Sequence, residues 1–264
     1  MLIIGEKLNS SIPSAQEAFL NMDGDYIKEI ALKQTECGAH FLDVNAGVFV
    51  DEAEKLLWAV EQIRDVCKTP LVLDSTNPSA IASVLDQFEF EKLIINSITL
   101  EPVRFEGMLP LVQKTGAGVI ALPMDETGIP KDVSMRVENA RKMINKLEKN
   151  GISQDRIYID LIVETLSVES TAAVHAIKAA KVIREEFPDV HLVGGMSNVS
   201  FGLPKRKYVN AAFLTAAIGA GLDTAIMDIT SPDAKMALLA AELVYGDDEY
   251  CMEYLNGYRQ AFKG

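Results

Sequence analysis

Histidine and cysteine are scarce in this chain, at three each in 264 residues, so the side chains most used as imidazole bases, thiol nucleophiles and soft metal ligands are nearly missing. Cys37, Cys67 and Cys251 are odd in number and widely spaced, which argues against a disulfide framework or a CxxC metal motif and fits a reducing compartment. Positive charge is also short, with 25 Lys and Arg against 38 Asp and Glu and a net charge of -13. Nucleic acid and anionic membrane both need basic footprints, so neither is expected as a main partner. No apolar window reaches transmembrane length, and the opening MLIIGEKLNSS is too briefly apolar and wrongly flanked for a signal peptide. The expected location is the cytoplasm. Finally, the first apolar run is followed by GEKLNSS, without the glycine-rich turn that a doubly wound nucleotide-binding sheet places there.

What is present is one alternation carried to the end of the chain. Short apolar runs, LIIGE, HFLDVNA, PLVLDST, KLIINS, AGVIALPM, IYIDLI, VHLVGG and DTAIMDI, are separated by longer amphipathic segments. The punctuation is physical: Asn77 and Pro78 open one helix, Gly38 ends another, and Gly151 ends the segment from Val133 to Asn150. Parallel strands are buried on both faces and need crossover helices, so eight such units predict an α/β fold, a (β/α)8 TIM barrel occupying residues 1–264 as a single domain. The stretch after Gly246, DDEYCMEYLNGYRQAFKG, predicts a C-terminal helix outside the barrel.

Active sites in such barrels collect at the carboxyl ends of the strands. Those ends supply Glu6 and Asn9, Asp43 and Asn45, Asp74 with Ser75 and Thr76, Asn96 and Ser97, Asp125, Asp160, Ser197 and Asn198, and Asp228. A lone strand-end Asp or Asn is more often a cap or turn former. A ring of carboxylates and carboxamides with no histidine or cysteine suits a neutral heterocycle rich in N–H donors better than a phosphate, and no metal site is indicated. VHLVGGMSNVSFGLPKR, from Val190 to Arg206, adds a double glycine that lets a flat ligand approach backbone and uncharged donors. His40, His175 and His191 read as structural, the charges of the helix from Ser134 to Lys149 as a solvated face, and Met124 to Asp132 as a surface loop or a mobile lid.

GEKLN at Gly5, DVNAG at Asp43, LDST at Leu73, INS around Asn96, IYIDLI around Asp160 and GGMSNVSFGLPKR from Gly194 resemble the pterin-binding methyltransferase family over essentially the whole chain. Its members include the methyltetrahydrofolate:corrinoid/iron-sulfur protein methyltransferase of acetogens and the folate domain of cobalamin-dependent methionine synthase. The resemblance implies a pterin held by Asp74, Asn96 and Asp160, with Gly195, Ser197 and Arg206 lining the same cleft and Arg206 reaching the benzoyl-glutamate end. It places Asn198 near the pterin N5 as the catalytic residue and gives Asn9, Asp43 and Asn45 supporting positions, to which the strand ends add Glu6, Ser75 and Asp228. The implied reaction moves a methyl group between N5 of tetrahydrofolate and the cobalt of a corrinoid. Nothing in the chain resembles a cobalamin module with its ligating histidine, so the corrinoid belongs to a partner protein docked over the barrel mouth. A homodimer in an anaerobe is also implied. The direction is open: acetogens pass the methyl from folate to corrinoid, and demethylation of glycine betaine or methylamines runs it the other way. Dihydropteroate synthase is the nearest alternative, but its Ser-rich first loop and late Lys and Arg are replaced here by KLNSSIPS and MDITSPDAK. A folate-binding module without turnover is the non-enzyme alternative.

Overall fold

The computed structural model describes residues 1–262; Lys263 and Gly264, the last positions of the expected terminal helix, lie outside the described residues. The strands are β1 (Leu2–Asn9), β2 (Phe41–Asn45), β3 (Leu71–Asp74), β4 (Leu93–Thr99), β5 (Gly118–Leu122), β6 (Ile157–Asp160), β7 (His191–Gly195) and β8 (Thr224–Met227). They pair in parallel, each with its sequence neighbour, and β8 closes on β1. Helices α1 (Pro13–Asn21) and α2 (Gly24–Glu36) follow β1. The later strands are followed by α3 (Glu52–Val66), α4 (Pro78–Leu85), α5 (Pro102–Thr115), α6 (Val133–Lys149), α7 (Ala172–Glu186), α8 (Arg206–Gly219) and α9 (Pro232–Tyr245). The helix α10 (Met252–Phe262) comes last and packs against α9. This is the TIM barrel with its C-terminal helix that the alternation predicts.

Local chemistry sets these boundaries. Asn77, Asp132 and Ser231 each accept a backbone N–H of the following first turn, from Ser79, Met135 and Ala234, and so satisfy donors that a helix start leaves open. Gly246 ends α9 at φ 86, a left-handed conformation that costs glycine nothing.

The period-2 alternation of each strand makes two cores. One face, with Leu42, Leu73, Ile95, Val119, Ile159 and Leu192, packs against the helices. The other face fills the barrel, where Ile4, Val72, Ile94, Ile120, Tyr158 and Val193 meet with Leu2, Phe41, Leu122 and Ile226. Two residues further along the same faces come Glu6, Asp43, Asp74, Asn96, Asp160, Gly195 and Asp228. Each polar group therefore stands one step above a dry apolar layer, which excludes water from below and fixes the floor of the site.

Two strands depart from plain geometry, and both run longer than their apolar runs predict. β1 gains one residue against β2 between Gly5 and Leu8, and β4 shifts register against β5 between Asn96 and Ile98. A bulge re-aims the side chains around it. In β1 it leaves the Lys7 N–H to donate to the buried Gln34 Oε1 at 2.9 Å, and it presents both Glu6 and Lys7 at the mouth.

Candidate active site

Register brings the strand-end residues into one row. Asn9 pairs with Asn45, Asn45 with Asp74 and Asp74 with Asn96, so four neighbouring strands carry acid or amide at one level. The asparagines use their oxygens locally. Asn9 Oδ1 accepts from Ser11 N at 2.9 Å, and Asn45 Oδ1 accepts from Gly47 N at 2.9 Å and Ser10 Oγ at 3.2 Å. The asparagine side chains also favour the charged forms of the neighbouring acids, Asn45 that of Asp74, and Asn96 and Asn9 that of Asp43.

Burial dominates the electrostatics of this row, because taking a carboxylate out of water disfavours its charged form. Asp43, almost inaccessible and facing both Asp74 and Glu6, is held well above the usual carboxylate range. Burial pushes Asp74 up to about 6 despite the Asn45 amide, with Glu52 and Asp160 adding repulsion. Burial likewise lifts Asp160 to about 6, opposed by the Ile162 N–H and by Arg136. Glu6 rises to about 7, first through burial and then through Asp228, while Ser197, Lys7 and Arg206 pull it down. Asp43 Oδ1 is buried without a hydrogen-bond partner. Among the described residues no three His, Cys, Asp or Glu side chains converge to hold a metal ion, so these carboxyls stand as separate acceptors. A ligand carrying several N–H donors on a flat edge fits that pattern.

Asp160 is held by a strained turn. Its Oδ1 accepts from Ile162 N at 2.6 Å, and Ile162 sits at φ 47, a region a β-branched residue rarely enters. Arg136 of α6 donates to Leu161 O at 2.7 Å, to Ile162 O at 3.0 Å and to Glu164 at 2.8 Å, clamping the turn from behind. Arg136 and Asn139 are buried, which corrects the expectation that the charges of this helix all lie on a solvated face.

On the far side of the mouth the glycine loop folds over itself. A Cβ at Gly195 would lie 2.8 Å from Asn198 Nδ2, so the missing side chain is what allows the Asn198 amide to settle there. Ser197 Oγ donates to Glu6 Oε2 at 3.2 Å. Arg206 donates to Ser197 O at 2.6 Å and to Ser200 Oγ at 3.0 Å, so its guanidinium braces the loop it follows. We expect Gly195→Ala to push the Asn198 amide aside and lower turnover by roughly tenfold or more with little change in fold, checked by steady-state rates beside a melting curve.

The other sequence candidates divide. Asp228 Oδ1 accepts from Thr230 N and Thr230 Oγ1, and its Oδ2 lies 3.4 Å from Lys7 Nζ, at the mouth. Ser75 is buried and donates to Glu52 Oε1 at 2.6 Å, so it ties the end of β3 to α3. Asp125 does not join the row, contrary to expectation: its carboxylate accepts from Thr127 N and Oγ1, which holds it below the usual range. His40 Nδ1 accepts from Ile3 N, and His191 stacks on Tyr158 at 4.4 Å beside Asp223, at the amino ends of their strands.

Buried acids give the site a stability signature. Between the ordinary Asp value of 3.8 and about 6 the folded protein binds the Asp160 proton more tightly than the unfolded chain, so this group's contribution to stability falls as pH rises through that window. Asp160→Asn keeps an oxygen for Ile162 N and removes the charge. It should raise stability by about 1 to 3 kcal/mol above about pH 7 and change little near pH 4, read by denaturant melts at both; equal stability at both would contradict it.

The closed barrel, its carboxyl-end row of acids and amides and the glycine-backed cleft define a class: a barrel enzyme site for a flat, donor-rich heterocycle. A family model described as pterin binding enzyme matches residues 6–228, and the chain belongs to that family. It is 35% identical over 263 residues to a methylcorrinoid:tetrahydrofolate methyltransferase of Eubacterium limosum, covering 98% of this chain and 97% of that protein. A methionine synthase of Mycobacterium tuberculosis is 31% identical over 241 residues, 86% of this chain but only 20% of that longer protein. Among solved structures, a dihydropteroate synthase of Coxiella burnetii in complex with pteroic acid superposes with TM-score 0.70 at 16% identity over 94% of each chain, and one of Xanthomonas albilineans in complex with 7,8-dihydropteroate at 0.67 and 16% over 93% of each. Those last likenesses speak to the fold.

Proposed function

We propose that this protein is a methyltransferase that moves a methyl group between N5 of tetrahydrofolate and a corrinoid carried by a separate protein. The observation that supports it most is the unbroken row Asn9, Asn45, Asp74 and Asn96 facing Asp160 across the mouth, in a chain similar from end to end to a methylcorrinoid:tetrahydrofolate methyltransferase. The 2-amino group and ring N–H groups of a reduced pterin are donors, and Asp74, Asn96 and Asp160 offer them acceptors, with the orphaned Asp43 Oδ1 beneath. Gly195 and Ser197 shape the wall, Asn198 faces N5, and Arg206 braces the loop on the side where the benzoyl-glutamate tail leaves. Residues 1–264 act as one unit in this reading, in the cytoplasm.

The partner's corrinoid supplies the cobalt that accepts or donates the methyl group. Two of the three histidines, His40 and His191, are engaged at the amino ends of their strands, and the third, His175, lies on α7. Around the mouth, Val50, Val168 and Phe201 project apolar side chains from different βα loops, which supports a protein partner docking there. Nitrogen leaves carbon poorly unless the charge developing on it is offset, so Asn198 contributes by a hydrogen bond that strengthens in the transition state. One site serves both directions by microscopic reversibility, and similarity to the Eubacterium limosum protein supports methylcorrinoid as donor.

The test mixes the purified protein with a methylated corrinoid protein and tetrahydrofolate and follows the corrinoid spectrum. Demethylation that requires both this protein and tetrahydrofolate is expected. Its absence, together with condensation of a pterin pyrophosphate with p-aminobenzoate, would replace this reading with dihydropteroate synthesis; folate binding without either turnover would leave a binding module.

A further inference from the structure

Glu6, like Asp228, is a mouth carboxyl to which pterin recognition gives no task. It stands at the β1 bulge and lines a cavity of about 250 Å3 between the ends of β7 and β8 and helices α8 and α9. Ser197, Arg206, Asn210 and Asp228 line the same cavity. The Ser197 hydroxyl, 3.2 Å from Glu6 Oε2, belongs to the residue just before Asn198. Glu6 is therefore one hydroxyl removed from the loop that carries the amide assigned to N5.

We propose that Glu6 is the proton store of the methyl transfer, a positioning residue that exchanges a proton with N5 through the Ser197 hydroxyl and with solvent through the adjoining cavity. This rests on the methyl-transfer reading above. When methyl leaves folate, the N5–carbon bond breaks with its electron pair kept on nitrogen, carbon bonds to the partner's reduced cobalt through the pair the metal brings, and one proton must reach N5. Glu6 supplies it to Ser197 as Ser197 passes its own on, and the carboxylate is reprotonated from solvent. In the opposite direction N5 gains the methyl and loses that proton, which Glu6 receives. The Glu6–Ser197 bond serves both, since an ionised Glu6 accepts from Ser197 and a protonated one donates to it.

The groups around Glu6 suit it to hold a proton near neutrality. Asp228, past the end of β8, repels its charge, and the Glu6 charge in turn lifts the Asp43 carboxyl on β2. Lys7 on the same strand and Arg206 at the start of α8 attract it, but Lys7 Nζ is drawn 3.4 Å from Asp228 and Arg206 is bonded to Ser197 O and Ser200 Oγ; Lys207 lines the cavity and pairs with Asp233. Burial then outweighs the attraction, and Glu6 titrates at about 7. Asp160 is less suited, because its Oδ1 is committed to Ile162 N.

The experiment compares wild type with Glu6→Gln, Glu6→Asp and Ser197→Ala by single-turnover methyl transfer across pH in both directions, and by calorimetry of tetrahydrofolate binding in buffers of different ionisation enthalpy. Wild type should lose rate above about pH 7 in the folate-to-corrinoid direction and below about pH 7 in the other. Glu6→Gln should flatten both limbs and lower kcat by about 10 to 100-fold with KM within about threefold, and Ser197→Ala should do the same more weakly; Glu6→Asp should keep a limb. Proton uptake on folate binding at about pH 8, measured without any corrinoid protein, should fall clearly in Glu6→Gln. An active Glu6→Gln with wild-type limbs, or one with wild-type proton uptake, would overturn the role of Glu6 alone. A wild type that transfers no methyl would overturn the reading on which it rests.

Discussion

Asn198→Ala should cut methyl transfer by about a hundredfold or more while tetrahydrofolate affinity stays within roughly tenfold. Asn198 is exposed on a short 3-10 turn right after β7, with its amide laid over the bare Cα of Gly195. Little packing is lost with it, which is why binding and folding should survive. A donor at N5 matters most when the nitrogen carries developing charge, so its removal acts on the transition state more than on the ground state. Single-turnover rates set beside equilibrium folate titration separate the two; equal losses in both would contradict the catalytic role.

Asp160→Asn should show the reverse pattern, a loss of about 10 to 100-fold in tetrahydrofolate affinity in a protein that melts higher at neutral pH. The buried carboxyl is costly to the apo protein, as its raised pKa implies, and the proposed function gives a reason to keep it, an acceptor for the donors of a pterin edge. An asparagine can still receive the Ile162 N–H but then turns a donor toward the ligand's own donors. Isothermal titration of tetrahydrofolate beside a denaturant melt reads both arms. Unchanged affinity would remove Asp160 from the pocket.

The barrel was legible because its signal is periodic: eight apolar runs with capped helices between them have few alternative packings, and the structure closes them in sequence order. Asp74, Asn96 and Asp160 could be placed among the mouth residues because each ends an apolar run, and the family resemblance then singled them out as pterin ligands. What stayed hidden depends on contacts distant in sequence. Glu6 looked like one more strand-end acid until the β1 bulge and Ser197, 191 residues on, gave it a partner. Arg136 read as a solvated helix charge, because nothing local says that its guanidinium turns under the β6 end to hold Leu161 and Ile162. Asp125 misled for the opposite reason, since a strand-end Asp followed two residues later by Thr is also an ordinary turn former, and here it is one.

The central claim is that this mouth exchanges a methyl group at one nitrogen. A corrinoid protein carrying a 13C-labelled methyl group, incubated with tetrahydrofolate and this protein and read by carbon NMR, tests it most directly. The label should appear on N5 of tetrahydrofolate in wild type, at a rate that falls by about a hundredfold or more with Asn198→Ala. Label that stays on the corrinoid, or reaches any other position, would contradict it.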